Sequence, residues 1–223
     1  MDVIQYSKIS AQEAGARILE IKRQMGSRLL FLAHNYQRNE VFQLGDFTGD
    51  SLELSKKARD SKEAEYIVFA AVHFMAETAR ILAQDYQRVF LPNMLAGCPM
   101  SDMGETEKVE EAWKEIQSYF PGEVIPITYV NSEAELKAFC GREGGACVTS
   151  GNAVDVFKWA YKQKKRIMFF PDEHLGRNTG NRLGIPKDEQ VIWDPHASNG
   201  KGGIVPEVLD KARLILWKGY CHV

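Results

Sequence analysis

The chain has 223 residues, 44% apolar and 26% charged, with a formal net charge of −2, a composition that fits one large or two modest globular domains and excludes disordered and collagen-like classes. Without a broad basic surface, nucleic acid and anionic membranes are not expected as main partners. No apolar run approaches the roughly 18 residues of a bilayer span, and the start MDVIQYSKISAQEAG has neither a cationic nor an apolar leader region, so a cytoplasmic location is expected.

Residues from Ser10 to Met25 carry Ile18, Leu19 and Ile21 among charged residues behind a Ser10-x-x-Glu13 capping box, which predicts an amphipathic helix. Leu29 to Ala33 is a short apolar run of the kind found in a strand buried on both faces, and it stops at His34, Asn35 and Tyr36. After a turn rich in Gly and Asp, Asp50-Ser51-x-Glu53 predicts a helix start, with a side-chain oxygen on the free amides and an acid in the first turn. Tyr66 to Val72 predicts a second strand, HFMAETARILAQ a helix, and Arg88 to Pro92 a third strand. The loop LPNMLAGCPMSDMG then carries Cys98 within reach of the strand ends.

The pattern starts again at ETEKVEEAWKEIQSYF, a predicted helix halted by Pro121-Gly122. Val124 to Val130 predicts a strand, Ser132-x-x-Glu135 caps a helix to about Phe139, Ala146 to Ser150 is a strand, AVDVFKWAYKQ a helix and Arg166 to Pro171 a strand. Pro206 opens a further helix before the strand-like LILWKGYCHV. RVFLPNMLAG and RIMFFPDEHLG can be laid together so that Phe90 meets Phe169, Pro92 meets Pro171 and Gly97 meets Gly176. With the shared order of elements, this predicts an α/β fold of repeated three-layer αβα domains with parallel sheets, each copy about one hundred residues. The expected domains are 1–104 and 105–203, with 204–223 opening a truncated third repeat.

In open α/β sheets, strand carboxyl ends and the following helix amino ends form a crevice that suits anions, and His34, Tyr36 and Ser51 should line it. His34 is an acid/base candidate by its near-neutral titration, or a residue that only hydrogen-bonds its loop. Tyr36 and Tyr129, read as corresponding strand ends, offer phenolic protons, and Ser51 and Ser150 offer hydroxyls to phosphate or carboxylate oxygens or serve as simple caps. His73 and His174 read as structural, and Asp172 with Arg177 as an ion pair. Cys98, Cys140, Cys147 and Cys221, without an export signal and without a CxxC, read as thiols, metal ligands or small buried side chains.

Taken in order, AHNYQ, GDSLELSKKA, FMAETARIL, PNMLAGCPMSDM, YVNS, VTSGNAVDVF, FFPDEHLG and LWKGYCHV resemble quinolinate synthase from about residue 10 onward. The resemblance implies a transferase of NAD (pyridine nucleotide) biosynthesis that condenses iminosuccinate with dihydroxyacetone phosphate to give quinolinate, phosphate and water. L-aspartate oxidase is then the implied supplier of iminosuccinate. The family's fold places three αβα domains around a pseudo-threefold axis, with an oxygen-sensitive 4Fe-4S cluster in the central cavity. Matched by motif, Cys98 in AGCPM and Cys221 in GYCHV resemble two of three iron-sulfur ligands, and the iron left open is expected to act as a Lewis acid. His34, Ser51, Tyr129, Val130, Asn131 and Ser150 resemble residues that contact the dicarboxylate, and Tyr36 resembles the catalytic tyrosine. Cys140 and Cys147 match no cluster position. The family pattern continues beyond Val223 through a histidine, a glutamate, a threonine and the third cluster cysteine, so this chain alone is expected to be inactive or weak. On the residues alone two other readings stay open: a non-catalytic phosphate- or dicarboxylate-binding protein keeping His34, Ser51, Tyr129 and Ser150, and a phosphosugar isomerase with His34 as base.

Overall fold

A computed structural model describes residues 8–198 and 200–222. The expectations for residues 1–7 and for Val223 lie outside the described residues. The chain is α/β and divides into two units, one up to Gly97 and one from Cys98 onward. Each has its own parallel sheet.

In the first unit α1 (Ala11–Met25) leads to β1 (Leu29–His34), then α2 (Asn39–Phe42), β2 (Phe47–Gly49), α3 (Ser51–Asp60), β3 (Tyr66–Ala70), α4 (His73–Leu82) and β4 (Arg88–Phe90). The sheet order is β2-β1-β3-β4. β1 is buried along nearly its whole length because it lies between two parallel neighbours with helices on the faces, which is why its sequence reads as an unbroken apolar run. Ser10 caps α1 through the Glu13 amide, as the capping box predicts.

The second unit holds α5 (Pro99–Asp102), α6 (Thr106–Tyr119), β5 (Val124–Tyr129), α7 (Ala134–Arg142), β6 (Ala146–Val148), α8 (Ala153–Gln163), β7 (Arg166–Phe170), α9 (Glu173–Arg182), β8 (Gln190–Trp193), α10 (Pro206–Leu209) and β9 (Leu214–Trp217). Its sheet runs β6-β5-β7-β9-β8. One face packs on α6 and α7 through a cluster that includes Trp113, Ile116, Phe139, Phe170 and Trp217, and the other face buries Phe157, Phe169 and Leu216. Phe139, Phe170 and Trp217 meet edge to face at centroid distances of 6.4 and 5.9 Å, the arrangement that aromatic quadrupoles favour.

Three points differ from the sequence reading. β8, a strand the pattern did not single out, joins the second sheet, and β9 lies between β7 and β8. With β9 set aside, the order β6-β5-β7-β8 repeats β2-β1-β3-β4. β7 is therefore the counterpart of β3 and not of β4, and the internal match falls at Gln87–Pro92 and Gln190–Pro195, one step later than Phe90 with Phe169. Gln87 and Gln190, at those equivalent places, are both buried. Gln87 donates to the Ser61 and Ala64 carbonyls, and Gln190 to Ile185 O and Asn181 Oδ1. Finally, Ser132 is not the cap of α7: Glu133 holds that position, and the Ser132 hydroxyl bonds Tyr129 O at 2.7 Å.

Pro126 sits in β5, an interior strand that ordinarily needs every backbone donor. β6 pairs only with Ile127 to Tyr129, and the chain beside Pro126 is Gly145, where an added Cβ would run into the Pro126 carbonyl oxygen. Gly145→Ala is expected to destabilise the protein by about 3 kcal/mol, the upper end of overpacking costs, read as a lower urea midpoint at unchanged slope.

Candidate functional site

In the first unit the site is built where β1 and β2 end together. His34 and Gly49 are register partners, Asn35 N donates to Gly49 O at 3.2 Å, and Gln37 N to His34 O at 2.9 Å. The chain goes straight from Gly49 into α3, whose N-cap is Asp50, with Asp50 Oδ1 accepting from Glu53 N at 2.8 Å. Ser51 is thus the first helical residue, half-buried, with the helix amino end behind it. This brings His34, Tyr36 and Ser51 to one edge of one sheet.

His34 is only 5% exposed. Its Nδ1 accepts from the Tyr36 amide at 3.3 Å, so the ring proton resides on Nε2. Burial pushes the imidazole below its ordinary titration range, and the nearby Asp50 carboxylate opposes this only partly. The result is a neutral imidazole with a donor N–H, suited to hold an anion or a carbonyl oxygen rather than to take up a proton. The Tyr36 ring lies 4.6 Å from the His34 ring, and Tyr36 is 80% exposed, so its phenol is open to a ligand.

In the second unit, β5 and β6 end together in the same way. Tyr129 is in register with Val148, and Val130 N donates to Val148 O at 2.8 Å. The registers Leu29 with Tyr66 and Val124 with Arg166 make Tyr129 the counterpart of His34, and Asn131 the counterpart of Tyr36. The sequence pairing of Tyr36 with Tyr129 is corrected accordingly. Tyr129 and Asn131 are half-buried, while the Val130 side chain is buried, so Val130 can present only its backbone. Ser150 is exposed and lies three residues ahead of α8. The helix entry is instead shaped by Asn152, whose Oδ1 accepts from Thr149 N at 2.7 Å and from Thr149 Oγ1 at 3.2 Å. Thr149-x-x-Asn152 is a local turn signature that would have given this away.

The second unit also carries the cysteines, none in a disulfide. Cys98 is the half-buried N-cap of α5, and Cys221 is exposed past the end of β9. Trp217 Nε1 donates to Met103 O at 2.7 Å, which ties the end of β9 to the turn that closes α5. Gly219 reinforces the tie: a Cβ there would collide with the Pro171 carbonyl oxygen and lie 3.4 Å from Met103 Cβ. The segments bearing the two thiols are therefore held against each other within one unit. Cys140 is different, with burial, and then Cys147, pushing its thiol well above the usual range. Burial also raises Cys147.

The donor set of Cys98 and Cys221 fits a thiolate-bound iron-sulfur group as far as it goes. The Ser101 hydroxyl, buried one helical turn from Cys98 and without a hydrogen-bond partner, is an orphaned polar atom of the kind such a group satisfies. Among the described residues no three His, Cys, Asp or Glu side chains come together to hold a metal ion. Asp172 does not pair with Arg177. It caps α9 through the amides of His174 and Leu175, and Arg177 reaches Glu173 at 3.4 Å.

The sequence profile of the family described as Quinolinate synthetase A protein matches residues 16–223. Curated relatives described as quinolinate synthase include one from Bacillus velezensis, 51% identical over 218 residues, covering 98% of this chain and 58% of the relative. Another, from Bacillus cereus strain G9842, is 51% identical over 219 residues with the same coverage, as is one from Bacillus thuringiensis strain Al Hakam. The chain thus spans 58% of the length of these relatives.

Because the fold keeps His34 neutral, its folded value lies below the unfolded one and the unfolded chain binds the proton more readily. Stability is then full above about pH 6.5 and falls as pH drops through that value, a slope that His34→Gln should flatten. Proton NMR should find the His34 titration midpoint below about 6.5. A midpoint at or above it would remove the neutral-donor assignment.

Proposed function

This chain belongs to the quinolinate synthetase A family, and on that premise we propose that it contributes the first two domains of a quinolinate synthase, condensing iminosuccinate with dihydroxyacetone phosphate to quinolinate, phosphate and water. The observation that carries the reading is the tie between Trp217 Nε1 and Met103 O, which holds the Cys98 and Cys221 segments together in one unit. In the proposed organisation residues 1–104 and 105–203 are two αβα copies and 204–223 lead toward a third around a pseudo-threefold axis. The order β6-β5-β7-β8, which repeats β2-β1-β3-β4 when β9 is set aside, supports the two copies, while β9 itself pairs within the second sheet. Cys98 and Cys221 are assigned as two ligands of a 4Fe-4S cluster. The chemistry such a cluster supplies when bound is Lewis acidity toward an oxygen that leaves as hydroxide.

The chain's own residues supply binding and proton handling. His34, through its Nε2 proton, and Ser51, at the amino end of α3, are assigned to hold carboxylate oxygens of the first substrate, where the helix dipole favours negative charge. On the second unit Tyr129, the Val130 backbone, Asn131 and Ser150 are assigned the same task. Tyr36, with its exposed phenol ring tilted against the imidazole of His34, is assigned to pass a proton during enolisation and dehydration. Four cysteines without a disulfide suit a reducing cytoplasm. L-aspartate oxidase is the proposed source of iminosuccinate.

The test is anaerobic reconstitution with iron and sulfide of this chain joined to the remaining part of the relatives' length, followed by an assay for quinolinate from iminosuccinate and dihydroxyacetone phosphate. Turnover is expected, and Tyr36→Phe should lower it by about 10²- to 10³-fold while dicarboxylate binding is kept. A loaded cluster without quinolinate formation would overturn the assignment.

A further inference from the structure

We propose that Ser101 is a positioning residue for Cys98, its hydroxyl donating a hydrogen bond to the Cys98 sulfur when that sulfur is a metal-bound thiolate. This rests on the reading of Cys98 and Cys221 as ligands. Ser101 is 3% exposed, and its Oγ is buried with no hydrogen-bond partner.

A buried hydroxyl without a partner is costly, and most such groups find one. The usual solution inside a helix is the carbonyl four residues back, and other hydroxyls of this chain take it: Ser55 to Ser51 O at 2.8 Å, Thr78 to Phe74 O at 2.8 Å and Thr179 to Leu175 O at 2.7 Å. For Ser101 the residue four back lies ahead of the N-cap, outside the helix, and that bond is not made. Among the described residues the hydroxyl has no hydrogen-bond partner.

Position decides what partner it can take. Cys98 is the N-cap of α5 and Ser101 its third residue, so the two side chains leave the chain within one helical turn of each other. The turn is held closed by Asp102 N to Cys98 O at 3.0 Å, Met103 N to Pro99 O at 3.1 Å and Gly104 N to Ser101 O at 3.0 Å. Its far end is fixed by Trp217. A thiolate at Cys98 gains an acceptor's charge, and a donor beside a ligating sulfur orients it and strengthens its hold on metal.

The experiment uses cobalt(II) alone as the thiolate probe, titrated anaerobically into the full chain, with thermal melts of the metal-free protein alongside. The wild-type chain should show a sulfur-to-cobalt charge-transfer band. Ser101→Ala should weaken cobalt binding about tenfold, while raising the metal-free melting temperature by about 2–4 °C, since an unsatisfied polar group is removed. Ser101→Thr, which keeps the hydroxyl, should retain wild-type affinity. Cobalt bound equally well by Ser101→Ala, or a lower metal-free melting temperature in that variant, overturns the proposal alone. No charge-transfer band in the wild-type chain would instead remove Cys98 and Cys221 as ligands.

Discussion

A parallel strand buried on both faces can expose polar chemistry only at its ends, and this constraint organises both units. β1 and β5 spend their backbone donors and acceptors on two neighbours each, and their side chains on apolar layers. The first residues free to differ are those at the carboxyl edge: His34 and Tyr36 in one unit, Tyr129 and Asn131 in the other. The neighbouring strand, β2 or β6, ends at the same level and feeds the turn before a helix, so a helix amino end is delivered to the same edge. Polar strand ends and helix dipoles coincide because of connectivity.

The neutrality of His34 follows from the same geometry. To end β1 with a tight turn, the Tyr36 amide needs an acceptor, and the imidazole Nδ1 provides it. That bond fixes the tautomer, while the buried position of the strand end withdraws water from the ring. A histidine on an open loop would have neither restraint and would be free to act as a base.

Much of this was legible in the letters, and what was not has identifiable causes. The long apolar runs of β1, β5 and β7 and the helices after them stand out because burial on both faces leaves no alternation to confuse with a helix. β8 was missed because Gln190, buried and bonded through its amide, looks polar in sequence although it sits inside the sheet. The repeat was set one strand out of step because aromatic and proline matches recur at each strand end, whereas the register of hydrogen-bonded partners is a three-dimensional property. Ser132 matched a capping box, yet its hydroxyl was claimed by the Tyr129 carbonyl, a closer partner once the turn had formed. Ser101 carried no motif at all, since its significance is a missing bond.

With the register corrected, the copies differ in a specific way. Counting six residues from Leu29 and Val124 gives His34 and Tyr129, and two further gives Tyr36 and Asn131. One backbone position thus carries a phenol in one unit and an amide in the other. Past the end of β9 the chain at Gly219 lies so close to Pro171 that only a hydrogen fits. Glu173 N bonds Gly219 O at 2.8 Å in the same contact. The absence of a side chain there fixes the backbone two residues ahead of the Cys221 thiol.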